Sequence, residues 1–344
     1  MSMKILFIGG TGNISTECAA LLHGRGHEIL VLSRGRSVVP AEYRAIQADR
    51  KDAAAMRAAL KEVQPDVVLN FLGYDLPDVQ TDYELFKGVV RQYVFISSTV
   101  VYAKPPHRLP LTEAAPVGNA WWDYAQKKLA CEQWLQQCHQ EAGFPVTIVR
   151  PSHTYSKGWI PNPVSSGSFT FAARLEQGKP VFIHDKGESP WTLTAAADFA
   201  VGLAGLVGQA EAIGEAFHIT SDEALTWNHI YAEIAAALGA KAPQIVKVPT
   251  DFICRMAPQL TGTLKGDKAH PGVFDNSKIK RFVPEFHCRK PFRVGVRESV
   301  AWLRQHPEQQ NLKPELDALI EQVLGAWQRE GNNPVAPGDF ARRS

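Results

Sequence analysis

Short unbroken apolar runs alternate along the first half of the chain with longer stretches whose apolar residues recur at helical spacing. Ile5, Leu6, Phe7 and Ile8 form a run too short for a buried helix, and Gly9 ends it at once. It predicts a strand buried on both faces. The stretch from Asn13, carrying Cys18, Ala19, Ala20, Leu21 and Leu22, predicts the first helix. Similar runs predict strands over 28–32, 43–47, 66–71, 93–97 and 144–150, with a helix over 53–63 and a longer one through Tyr124 and Leu135. Residues 74–92 leave room for about three helical turns at about 1.5 Å per residue. Alternation of this kind predicts an α/β chain with a doubly wound parallel sheet.

After Tyr155 the regular alternation is lost. Residues 161–168, rich in Pro, Ser and Gly, predict a mobile loop over a cleft. A helix is expected over 169–177, strands over 181–184 and 216–220, a helix over 230–238 opened by Thr226, Trp227 and Asn228, and two last helices over 294–304 and 314–329. The expected division is a first domain over 1–160, with parts of 190–225 returning to it. A smaller C-terminal α/β domain follows over 161–330, and then a flexible tail over 331–344.

Composition narrows the class. With 344 residues, 45% hydrophobic and 21% charged, the chain can bury a large core. A formal net charge of +2 without a basic cluster argues against a nucleic-acid partner. No run of about 18 apolar residues is present to span a membrane. Cys18, Cys131, Cys138, Cys254 and Cys288 are scattered, as reduced thiols of a cytoplasmic protein would be, and no metal site is expected.

The first strand leads into Gly9-x-x-Gly12-x-x-Ser15, with Gly10, Thr11, Asn13 and Ile14 filling the turn. Glycines between a buried strand and a helix leave backbone N–H groups uncovered at the positive end of the helix, where a pyrophosphate binds. The spacing resembles the G-x-x-G-x-x-G loop of the extended short-chain dehydrogenase/reductases, the NAD-dependent epimerase/dehydratase family, with serine in the third glycine slot. That resemblance implies a Rossmann-type domain holding NAD or NADP. NAD-preferring relatives usually place an acid at the end of the second strand to bind the ribose 2′-hydroxyl. Here Ser33 occupies that slot, followed by Arg34 and Arg36, which either suit a 2′-phosphate and NADP(H) or are ordinary solvated loop charges. Asp49 stands where relatives bind the adenine amino group, and is otherwise a surface turn acid. Leu72 and Gly73 stand where the family's backbone passes the cofactor ribose. The short 74–92 stretch holds no Asn, which departs from the family's longer middle helix and leaves monomer and homodimer both open.

Candidate chemistry concentrates between Ser97 and Lys128. The stretch from Tyr93 to Tyr102 resembles the family's strand that ends in a hydroxyl run followed by Val-Tyr, which places the catalytic hydroxyl at Ser98. Tyr124-Ala-Gln-Lys-Lys128 supplies Tyr-x-x-x-Lys, and residues four apart share a helix face. The resemblance makes Tyr124 the proton carrier, its pKa lowered by the Lys128 ammonium, and has Lys128 also hold the nicotinamide ribose. Sugar 4,6-dehydratases of the family carry Asp-Glu where Thr99 and Val100 stand, so dehydration is disfavoured. Trp121 and Trp122 precede Tyr124 and either offer an indole face to a sugar ring or pack in the core. Arg150-Pro-Ser-His-Thr-Tyr155 resembles a stretch beside the nicotinamide, with Pro151 and His153 as contacts, although a loop histidine can also be merely solvated. Trp191 replaces an arginine that grips the diphosphate of nucleotide sugars, and Ala195 replaces a histidine, while Asp198 remains. Thr99, Trp122, His153 and Trp191 are the substrate candidates. The expected activity is hydride transfer at a secondary hydroxyl or keto carbon of a sugar-like small molecule. Epimerase and NADP(H)-dependent ketone or aldehyde reductase both stand. A non-catalytic NAD(P)-binding regulator or RNA-binding protein is the third reading.

Overall fold

A computed structural model describes residues 2–35, 38–61, 63–241 and 243–331. Arg36, and the expected tail apart from Gly331, lie outside the described residues. The apolar run at the N-terminus forms β1 (Lys4–Ile8), followed by β2 (Glu28–Ser33), β3 (Arg44–Gln47), β4 (Val67–Asn70), β5 (Gln92–Ile96) and β6 (Val146–Pro151). Three more strands follow, β7 (His153–Tyr155), β8 (Val181–His184) and β9 (Pro190–Ala195), and then β10 (Ala216–Ile219), β11 (Ala224–Thr226) and β12 (Ile245–Val248). The main sheet is parallel throughout, in the order β10-β6-β5-β4-β1-β2-β3. Its direction of growth reverses between β1 and β4, and at such a switch point the strand ends part to leave a crevice.

Alternate residues of β1 feed the two faces. Ile5 and Phe7 join the core under α1 (Ser15–Gly24), while Leu6 and Ile8 join Met56, Val79 and Phe95 on the other side. Helix α2 (Ala53–Leu60) is capped by the Asp52 carboxylate, which accepts from the N–H groups of Ala54 and Ala55. Helix α3 (Leu76–Phe86) has the expected three turns and an Asp75 cap. Helix α4 (Asp123–Ala142) ends at Gly143, whose φ of +66° suits a left-handed terminus. A long excursion after β6 builds a second core around Trp227, Tyr231, Phe171 and Phe292, beside a three-stranded sheet in the order β11-β9-β7 and the parallel pair β8–β12. Before β10 returns as the seventh strand of the main sheet, helix Ala196–Leu206 packs on α1.

Candidate active site

Two cavities open at the carboxyl edge of the main sheet, of about 680 Å³ and about 370 Å³, and Gly9, Leu72 and Tyr74 line both. Gly9 has a φ of +89°, and a Cβ there would lie 2.5 Å from Leu72 Cγ, so only glycine suits the turn. Gly10 instead packs against Val31 and Phe7 inside the fold and lines neither cavity. Ser15 is more than a small filler: its Oγ accepts the Gly12 N–H at 2.9 Å. The Asn13 side chain ties the loop to β7, donating to the Thr154 carbonyl at 2.7 Å and accepting from Ser156 Oγ. Asn13 and Ile14 both line the larger cavity.

Thr11, Ser33, Arg34 and Asp49 line the smaller cavity, with Arg34 exposed. Asp49 already accepts from the Lys51 N–H at 3.0 Å, which leaves its second carboxylate oxygen for a further donor.

The larger cavity gathers Ser97, Ser98, Tyr124 and Lys128. Ser98 is half-buried at the end of β5, where its Oγ accepts the Val100 N–H at 3.3 Å and caps the turn Thr99–Val101. Ser97 Oγ is buried and has no hydrogen-bond partner among the described residues. Tyr124 lies in the first turn of α4 and Lys128 one turn on, its ammonium 5.9 Å from the Tyr124 ring centroid. Only 1% exposed, Lys128 donates to the Gly73 carbonyl at 2.8 Å and the Ile96 carbonyl at 2.7 Å. An ammonium has three N–H donors, so one is left for the cavity. Burial lowers the Lys128 pKa to about 8. Burial, with the neighbouring Tyr74 phenol, moves Tyr124 upward, against the lowering expected from the nearby ammonium. In the protein alone the phenol therefore keeps its proton.

Of the paired tryptophans, Trp122 lines the cavity while Trp121 is half-exposed under the Lys265 ammonium. Thr99, Pro151, His153 and Trp191 line it as well. His153 is packed rather than solvated. Its ring lies 5.0 Å from that of Trp191, its Nε2 pairs with Ser166 Oγ at 3.1 Å, and burial with the Lys268 charge lowers its pKa to about 3. Trp191 packs at a 30° tilt with its ring 4.6 Å from that of Trp227 and donates its indole N–H to Asp267 at 3.2 Å. Asp198 accepts the N–H groups of Arg289 and Lys290 and serves the fold.

The stretch 161–168, expected as a loop over the cleft, does line the cavity and is largely buried there. Asn162 is buried and its amide is fully used, donating to the carbonyls of Ile160 and Ser165 and accepting from the N–H groups of Val164 and Ser165. The segment forms a packed wall of the cavity. Tyr74, Trp159, Thr263, Asp267 and Lys268 also line the site, and sequence reasoning missed them. They follow no recurrent spacing. Asp267 and Lys268 follow Lys265 in a mixed polar stretch, so nothing in the local sequence set them apart. Among the described residues no group of three His, Cys, Asp or Glu is placed to hold a metal.

A nicotinamide dinucleotide fits these features. The glycine turn, the two cavities that share Gly9, Leu72 and Tyr74, the unpartnered Ser97 hydroxyl and the remaining Lys128 donor are what such a molecule would meet along its length.

Residues 5–219 match the model of the NAD dependent epimerase/dehydratase family. The 2′-dehydrokanamycin reductase of Streptomyces kanamyceticus is 27% identical over 308 residues, spanning 88% of this chain and 85% of that protein. The Chloroplast stem-loop binding protein of 41 kDa b of Arabidopsis thaliana is 27% identical over 265 residues, or 72% of this chain and 67% of that protein. Among solved structures, the UDP-glucose 4-epimerase of Thermus thermophilus in complex with NAD superposes with a TM-score of 0.72 at 20% identity, covering 88% of this chain and 99% of that one.

Proposed function

The chain belongs to the NAD dependent epimerase/dehydratase family, and from that premise we propose that it is an NADP(H)-dependent reductase acting on a keto carbon of a small hydroxylated, sugar-like molecule. The observation that carries this reading is the convergence of Ser98, Tyr124 and Lys128 in the cavity that also holds the glycine turn. A bound nicotinamide dinucleotide supplies the hydride. Ser98 Oγ hydrogen-bonds the substrate oxygen and steadies its developing charge. The Tyr124 phenol, which burial keeps protonated, gives its proton to that oxygen as the carbonyl carbon is reduced. Lys128, held by Gly73 and Ile96, orients the ribose with its third N–H and keeps positive charge near the tyrosinate that remains. Solvent then returns a proton to Tyr124, and ketone plus reduced cofactor plus proton has become alcohol plus oxidised cofactor.

Three features support the finer reading. Thr99 and Val100 cannot act as the acid–base pair of a dehydration. Trp191, in the place expected for a diphosphate-gripping arginine, favours a substrate without a nucleotide. Ser33 and Arg34 at the smaller cavity suit a 2′-phosphate. A relative named as a reductase of a dehydrokanamycin, aligned over most of the chain, agrees with ketone reduction.

The test starts from the nucleotide content of the purified, denatured protein and the affinities of the emptied protein for NADPH and NADH. A diffusing co-substrate should leave the protein largely empty and then bind as NADPH in preference to NADH. Stoichiometric NAD that survives dialysis would instead point to a cofactor regenerated in place and to epimerisation. Tyr124→Phe should lower kcat for the reducible ketone by about a hundredfold or more with NADPH affinity unchanged, and full activity in that variant would overturn the assignment.

A further inference from the structure

Across the larger cavity from α4, residues 261–268 form one short helical segment whose last part, Leu264–Lys268, is a π turn. Such turns are rare and frequently accompany functional sites. This one is held from several sides. A Cβ on Gly262 would collide with the Trp122 indole, and one on Gly266 would lie 3.0 Å from Trp122 Cβ, so the two glycines form the face on which that tryptophan seats. Asn119 donates to the carbonyls of both Gly266 and Val100 at 2.7 Å and so clamps the segment to the turn that carries Ser98. The Lys268 carbonyl accepts from the Trp227 indole at 3.0 Å and pairs with His184 Nε2 at 2.9 Å.

What the segment presents to the cavity is an ion pair. Lys268 is 6% exposed and Asp267 9%, and the Lys268 ammonium lies 3.8 Å from the Asp267 carboxylate. At that distance the pair is not closed by a direct hydrogen bond, so the ammonium keeps donors and the carboxylate keeps acceptor positions. The Trp191 indole N–H fixes the carboxylate at 3.2 Å, and the ammonium sits 5.1 Å from the centroid of the same ring. Burying a lysine here costs enough to pull its pKa down, with Asp267 opposing the fall. Buried charges are costly unless their hydrogen-bonding positions find partners, and here those positions open on the cavity.

We infer that Asp267 and Lys268 form a substrate-recognition pair for a neutral vicinal diol, with Lys268 donating to one hydroxyl oxygen and Asp267 accepting from the neighbouring hydroxyl. The inference rests on the reading of this cavity as the substrate site. Adjacent ring hydroxyls match an open donor–acceptor pair, and the apolar face of the same ring matches the half-buried Trp122 indole that lines the cavity. The charges of the pair cancel and burial keeps His153 neutral beside them. A diphosphate at this point would face the Asp267 carboxylate. The pair thus selects an uncharged polyhydroxylated ring, and the tertiary clamp through Asn119 sets its position relative to Ser98.

Saturation-transfer NMR on the full chain in the presence of NADP⁺ tests this with three probes: myo-inositol, cyclohexanol and UDP-glucose. Wild-type protein should bind myo-inositol, bind cyclohexanol at least about tenfold more weakly, and retain myo-inositol against an equal concentration of UDP-glucose. Lys268→Met and Asp267→Asn should each weaken myo-inositol about tenfold while NADPH affinity, the check on folding, stays within twofold. Unchanged myo-inositol affinity in both variants, no binding to the wild type, or displacement by UDP-glucose that depends on Lys268 would each overturn the pair's role. Because binding is read without turnover, a Tyr124→Phe variant that kept its activity would sink the catalytic reading and leave this result standing.

Discussion

Lys128 shows how much a single buried charge decides. Its spacing from Tyr124 was visible in the sequence, and so was Ser98, because a helix repeats its face every four residues and the strand end is marked by its hydroxyl run. What that spacing could not convey was the state of the groups. The Gly73 and Ile96 carbonyls take two of the ammonium's donors, and burial raises Tyr124 instead of lowering it. Lys128 is protonated below about pH 8 and neutral above it, whereas in the unfolded chain it holds its proton to 10.5. Between those values the unfolded state binds more protons, so the residue's contribution to stability improves as the pH rises. Its grip on the ribose weakens over the same range. We expect kcat/KM for NADPH to fall as the pH passes about 8, and a profile flat to pH 10 would show that the ammonium is not needed.

Among the elements, the helices and strands of the first half were legible almost throughout, since a parallel sheet covered on both faces writes each strand as an apolar run. Boundaries moved by one to three residues where the hydrogen-bond ladder, not hydropathy, ends the element. The loop at 161–168 was legible as a segment over the cleft, but its composition could not show that Asn162 supplies internally the bonds that solvent would otherwise make. The segment 261–268 went unseen, because a π turn has no periodic signature. Its seat on Trp122 gives a prediction. Gly262→Ala should push the segment off that indole, raise KM for the reducible ketone several-fold and leave NADPH affinity unchanged, and a KM equal to wild type would show that the contact does not position the site.

For the molecule as a whole, the two cavities share Gly9, Leu72 and Tyr74, so a dinucleotide bound across them would brace β1, β2 and the turn after β4 together. At a hundredfold excess over its Kd, NADPH should stabilise the fold by about 2.7 kcal/mol and raise Tm by several degrees. NADH at the same concentration should raise Tm less, and Arg34→Ala should erase the difference. Equal shifts in the wild type would refute a 2′-phosphate site at Ser33 and Arg34. The sequence by itself determined the alternating strands and helices of the doubly wound sheet, the glycine turn and the spacing of Tyr124 and Lys128, because each is written in residues close enough along the chain to share one element or one turn. That Ser98, on a separate element, lines the same cavity was decided by folding. Tertiary structure alone decided which further side chains face that cavity. Asn162 and the Asp267–Lys268 pair reach it from separate segments to stand beside Trp191, and their meeting depends on how two cores pack. Local pattern records burial and backbone shape; the chemistry of a cleft is a property of surfaces that touch only after folding.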